Sequence, residues 1–268
     1  MPERQLDLFA DGGLPPAEPA RDGSRPATAT PHPRDLDDCA LIAGIPRAGL
    51  ADAAALADEA ARRGLAAAVP ALEELCRRFA GFGRERAVPE QVAALQALGR
   101  IGGPDAARAV VRLVARDAVA GPGRKVALEV AARLGAILPA GAILPLLRDP
   151  DPDLCAAACR CTGPWPAAVP VLLDLAREGD VRLGAAALCA LGRMGRQEAR
   201  PGLVGLLRDA PSAEIIEAVA TIADEDCVVL LGRTARTRPA LAHAVIEALA
   251  TIDHPRARQL AGTIRAVR

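Results

Sequence analysis

From about Asp35 to the C-terminus, apolar side chains recur three and four positions apart, the spacing that lays one stripe along an α-helix. The stretch before it has no such period. Between Asp11 and about Pro33 the chain is mostly Pro, Ala, Gly, Thr, Ser and charge, as in Leu14-Pro15-Pro16-Ala17-Glu18-Pro19 and Pro31-His32-Pro33. It holds too little apolar area to offset the entropy lost on ordering. Residues 1–34 are therefore expected to form a disordered tail, and residues 35–268 a helical domain.

The helical segments repeat. Ala67-Ala68-Val69-Pro70-Ala71-Leu72-Glu73-Glu74-Leu75 returns a hundred positions later as Ala167-Ala168-Val169-Pro170-Val171-Leu172-Leu173-Asp174-Leu175. A second element ends the preceding helix in each repeat: Ala97-Leu98-Gly99-Arg100-Ile101-Gly102, Arg133-Leu134-Gly135, Cys161-Thr162-Gly163 and Ala190-Leu191-Gly192-Arg193-Met194-Gly195, continuing in Ala220-Thr221-Ile222 and Ala250-Thr251-Ile252. With Gly99, Gly135, Gly163, Gly192, Ile222 and Ile252 as equivalent points, the steps are 36, 28, 29, 30 and 30 residues, room for two short helices and two turns. Arg148 and Arg208 fall where second helices end, near the negative pole of the helix dipole. Asp151, before Pro152, and Asp180 are predicted N-caps, and a glycine after the first helix supplies the left-handed residue that ends it. Runs such as Ala156-Ala157-Ala158-Cys159 and Ala185-Ala186-Ala187-Leu188 place small residues where neighbouring repeats approach. About seven helix pairs fit between Arg47 and Arg268.

Asp180-Val181-Arg182, Ala185, Ala190-Leu191-Gly192 and the following Glu198-Ala199 to Leu206-Leu207 resemble the HEAT repeat, particularly the bacterial form related to phycobilin lyase subunits. The resemblance covers most of residues 47–268. It implies an all-α fold, an α-solenoid of about seven HEAT-like helix pairs preceded by the tail. It says little about function, because HEAT-like arrays serve as scaffolds, lyase subunits and DNA glycosylases.

Composition narrows the picture. Apolar content is 51%, chiefly Ala, Leu and Val, with no Tyr, which suits close-packed helices better than a β-sandwich. Basic and acidic residues number 33 each, so no overall field draws the chain to nucleic acid or an anionic membrane. Lys125 is the only lysine, within a bias to Ala, Arg, Gly and Pro that runs the whole length and reads as a GC-rich coding sequence. Seven cysteines form no secretion-type framework and Met1-Pro2-Glu3-Arg4 opens no signal peptide, so a reducing cytoplasm is expected. Charge or proline interrupts every candidate membrane span.

Within the tail, Gln5-Leu6-Asp7-Leu8-Phe9 resembles the pentapeptide by which bacterial polymerases and repair proteins bind the β sliding clamp. The resemblance implies that Gln5 anchors one subsite by hydrogen bonds while Leu6, Leu8 and Phe9 fill an apolar pocket. The other reading is that Leu6, Leu8 and Phe9 fold back to cap the first repeat. The linker of about 38 residues from Phe9 to Arg47 has an r.m.s. span of about 35 Å if flexible, so a clamp-bound tail leaves the solenoid free.

Candidate chemistry is sparse. Cys155, Cys159 and Cys161 share a predicted helix, but no CxxC or nearby histidine completes a metal site, and they read, with Cys39, Cys76, Cys189 and Cys227, as small buried residues. His32, His243 and His254 stand without a nucleophile or paired carboxylate in any recognisable motif. Asp224, Glu225 and Asp226 form a corner expected to cap the next helix. Gly121-Pro122-Gly123-Arg124-Lys125 lacks the spacing of a phosphate loop and reads as an inter-repeat turn ending in exposed charge. Between residues 230 and 268, Arg233, Arg236, Arg238, Arg256, Arg258, Arg265 and Arg268 face only Glu247 and Asp253, a basic end from which Arg233, Arg236, Arg256, Arg258 and Arg265 are candidate phosphate contacts. HEAT-like alkylpurine DNA glycosylases use several aromatic residues and a catalytic Asp on a concave surface. Here Trp165 is the only Trp, and that activity is not carried over. The reading is a non-catalytic adaptor without cofactor or metal, recruited to the β sliding clamp by its tail, acting in replication or repair, with an unidentified protein on its concave face and DNA as a further candidate partner. The rivals are a plain HEAT-repeat scaffold and a HEAT-type enzyme or lyase-like subunit.

Overall fold

The computed structural model describes residues 32–266. Residues 1–31, with the pentapeptide Gln5–Phe9, and residues 267–268 lie outside the described residues. The described chain is all α: α1 (Asp38–Gly44), α2 (Leu50–Arg62), α3 (Val69–Arg78), α4 (Pro89–Ile101), α5 (Gly103–Ala115), α6 (Gly121–Arg133), α7 (Ala140–Leu146), α8 (Pro152–Arg160), α9 (Ala168–Glu178), α10 (Val181–Arg193), α11 (Arg200–Asp209), α12 (Ala213–Thr221), α13 (Glu225–Thr237), α14 (Ala242–Thr251) and α15 (Pro255–Ala266). Short 3-10 turns join several of them. No described helix is long and apolar enough to cross a membrane.

The even-numbered helices from α2 to α14 pack each against the next in one row. The odd-numbered helices form a second layer, each set against one or both of the flanking even helices. With α1 as an extra element at the start, this makes the seven helix pairs expected. Composition explains the layering. An even helix has neighbours on both sides as well as beneath, which favours small apolar residues over a wide face, most fully in α8, where Leu154 through Cys159 are six consecutive buried residues. Odd helices bury one stripe, such as Ala106, Ala109, Val110, Leu113 and Val114 of α5. One apolar core runs unbroken from Leu41 to Ala261.

The caps are those the sequence predicts. Asp151 accepts from the backbone N–H of Asp153 at 2.8 Å, and Asp180 from those of Arg182 and Leu183 at 2.9 and 2.8 Å. Asp224 accepts from the N–H of Cys227 at 2.9 Å, a bond that lowers its pKa, so the acidic corner is the N-cap of α13. Three readings need correction. The left-handed glycines that end even helices are Gly64, Gly102, Gly135 and Gly195, whereas Gly99 and Gly192 lie inside α4 and α10. A side chain at Gly192 would meet Leu203 and Ala218, so this glycine is there for close approach. Gly121 to Lys125 is the first turn of α6, not an inter-repeat turn, and its charges are paired, Arg124 with Asp117 and Lys125 with Asp153. Cys39 is exposed, while Cys76, Cys155, Cys159, Cys161, Cys189 and Cys227 are buried as expected.

Candidate functional site

Five even helices carry an arginine at or next to their last residue. Arg62, Arg100, Arg133, Arg160 and Arg193 are equivalent C-terminal positions of α2, α4, α6, α8 and α10, each favoured by the negative helix end, and Thr221 and Thr251 take the place on α12 and α14. Their partners differ. Arg62 folds onto Glu59 of its own helix, and Arg100 reaches back to Asp58 of α2. Arg160 and Arg193 converge on Glu214 in the first turn of α12, at 3.6 and 3.2 Å. The second guanidinium nitrogen of Arg193 also donates to the Cys159 carbonyl at 3.1 Å, capping α8. Arg133 is exposed and forms no ion pair among the described residues.

The ends of α6, α8 and α10, with α12, border a furrow of about 470 Å³. Its lining combines apolar Ile137, Pro164 and Met194 with the charged Arg160, Arg193, Glu214 and Glu217. A second depression of about 440 Å³ shares Glu214, Glu217 and Thr221 and continues towards α14. The apolar lining is held by two loops bonded together. The Leu138 N–H donates to the Cys161 carbonyl, and the Trp165 indole N–H donates to the Leu138 carbonyl, both at 2.9 Å. A side chain at Gly163 would collide with Ile137, so the loops close only with glycine there. Ile137 is left 55% exposed on this fixed support, a cost in water that a covering partner would remove. Trp165 is thus a strut, its ring half-buried and its N–H satisfied internally.

The furrow offers apolar surface, guanidinium and carboxylate. Nearby thiols are withdrawn: burial pushes Cys159 and Cys161 up to about 12. Of the arginines singled out in the sequence, Arg256 is bonded to Glu225 at 2.8 Å and Arg258 to Asp253 at 2.5 Å, while Arg233 and Arg236 on α13 and Arg265 on α15 are exposed with no ion pair among the described residues. Neither His243, 3.4 Å from Glu247, nor His254, whose Nδ1 accepts the Arg256 N–H at 3.2 Å, faces a nucleophile. The furrow residues Ile137, Arg160, Arg193 and Glu214 were not predicted. The recurring arginine at helix ends was the signal available, but its convergence on Glu214 is made by three separate helices.

Comparison with known proteins bears on the architecture. Residues 140–223 match the family model of HEAT repeats. A solved structure, the complex of CpcE and CpcF of phycocyanin lyase from Nostoc sp. PCC7120, contains a chain similar in fold, with 16% identity and a TM-score of 0.62 over 91% of this chain and 98% of that one. No curated protein matches.

Proposed function

We propose that this chain is a non-catalytic protein-interaction scaffold whose partner seats in the furrow along the ends of α6, α8, α10 and α12. The observation that carries the reading is Ile137, exposed on a bonded loop pair in the same furrow that the Arg160–Glu214–Arg193 cluster lines. That pairing of an apolar anchor with oriented charge is what a specific interface needs. The similar fold in the CpcE and CpcF complex supports it, since there a chain of this architecture assembles with another protein. The test is quantitative affinity capture by the intact protein beside Ile137→Asp and Arg160→Glu variants that retain their helical circular dichroism. A partner lost from both variants sustains the reading; an unchanged partner set ends it.

A second reading rests on the tail. The described stack begins with α1, whose Leu41 is fully buried. We infer that the pentapeptide serves recruitment to the β sliding clamp. Anisotropy titration with purified clamp should give saturable binding that the Leu8→Ala, Phe9→Ala double variant abolishes; no binding by the intact protein would remove this reading and leave the scaffold.

A further inference from the structure

The connection from α3 to α4, residues 79–88, is the longest between an odd helix and the next even one among the described residues. Its base is fixed by a buried side chain. Gln91, 1% exposed, donates from its amide to the carbonyls of Cys76 at 2.8 Å and Ala118 at 2.9 Å, joining the end of α3, the start of α4 and the α5–α6 turn. Its arm lies on the first residue of α6: the carbonyls of Gly83 and Arg84 occupy the space a side chain on Gly121 would need, and Gly121 has φ +50°. Between Gly81 and Gly83, both with positive φ, Phe82 stands at the apex, 65% exposed.

The charge around it is one-sided. Arg84 and Arg86 on the loop, Arg47 in the turn that Arg78 holds at the end of α3, and Arg116 at the end of α5 are exposed and form no ion pair among the described residues. Arg78 is held by the carbonyls of Pro46 and Ala48, at 2.9 and 2.8 Å, and lies 4.6 Å from the centre of the Phe79 ring, so its charge too meets no carboxylate. Glu85 is the one acid in the loop without an ion pair. Further along the same edge the cations are neutralised, Arg124 by Asp117 and Lys125 and Arg182 by Asp153.

We propose that this edge binds single-stranded nucleic acid, with Phe82 stacking on one unpaired base and Arg84, Arg86, Arg47 and Arg116 contacting phosphates. An aromatic face amid unneutralised guanidinium is the arrangement that tracks such a strand. A duplex keeps its bases from the ring; an acidic peptide would use the arginines and leave the ring in water. The site is separate from the furrow, and its test involves no protein partner.

The experiment is anisotropy of a fluorescein-labelled thymidine 20-mer titrated with the full-length protein at several salt concentrations. Binding is expected that weakens as salt rises. Phe82→Ala should weaken it about tenfold with the salt slope unchanged. Arg84→Gln with Arg86→Gln should lower the slope of log affinity on log salt by roughly 0.7 per phosphate contact. All of these side chains are exposed, and circular dichroism verifies that the variants fold. The proposal is overturned by any of three outcomes: no binding by the intact protein, equal binding by Phe82→Ala, or a Phe82-dependent preference for vesicles containing phosphatidylserine over the oligonucleotide.

Discussion

Helices α10 and α11, neighbours in the even and odd rows, are built on different principles. An even helix is enclosed on several sides, and α10 buries eight of its residues, Gly184 and Gly192 among them. Its odd partner α11 buries only Leu203 and Leu207, and Gly205 in its middle has nothing within contact distance of where a side chain would project. Enclosure on both sides sets an upper limit on side-chain size in one helix, whereas the other is limited only by the depth of its stripe.

Four measurements break or sharpen that contrast. The largest effect is expected for Leu98→Ala, which empties a fully buried site in α4 and should cost about 3–5 kcal/mol in denaturant unfolding. Gly192→Ala adds a methyl group against Leu203 and Ala218 and should cost about 1–3 kcal/mol, whereas the same change at Gly205 should stabilise by roughly 0.5–1 kcal/mol. If both glycine variants move in one direction, the two helices do not differ as described. Thiol labelling comes next. In native protein Cys39 alone should react readily, and the six buried thiols should appear on unfolding, those of Cys76, Cys159, Cys161 and Cys189 being held up to about 12 by burial.

The smallest effect concerns acid. The hydrogen bonds of Arg62 and Arg63 hold the Glu59 carboxyl down to about 2, and that of Arg112 lowers Glu73. A carboxyl with a depressed folded-state pKa stabilises fully above its unfolded value near 4.5 and loses that contribution as pH falls towards 2, because the unfolded chain takes up the proton first. Thermal midpoints should therefore fall as pH is lowered through this window, and Glu59→Gln should flatten the fall.

Features governed by a few adjacent residues were legible in the sequence. The caps at Asp151, Asp180 and Asp224 are local contacts between a side chain and an N–H two or three residues on, and seven pairs follow from a period that burial enforces. Gly99 and Gly192 were placed at helix ends because a glycine that ends a helix and one that lets the next helix approach look alike without coordinates. The furrow was illegible for another reason: Arg160, Arg193 and Glu214 stand on three helices, and nothing local says that the first two share the third. Phe82 is not among the residues the sequence singles out, and its meaning depends on which nearby arginines lack a carboxylate, a tertiary fact.

The two bonded loops that carry Ile137 and Trp165 join the ends of α6 and α8, while a groove of about 510 Å³ lies between the end of α7 and α9 beside Leu147 and Pro170. α7 itself is short and interrupted by Pro145. Across that groove α7 and α9 leave open space, whereas the ends of α6 and α8 are tied by two hydrogen bonds.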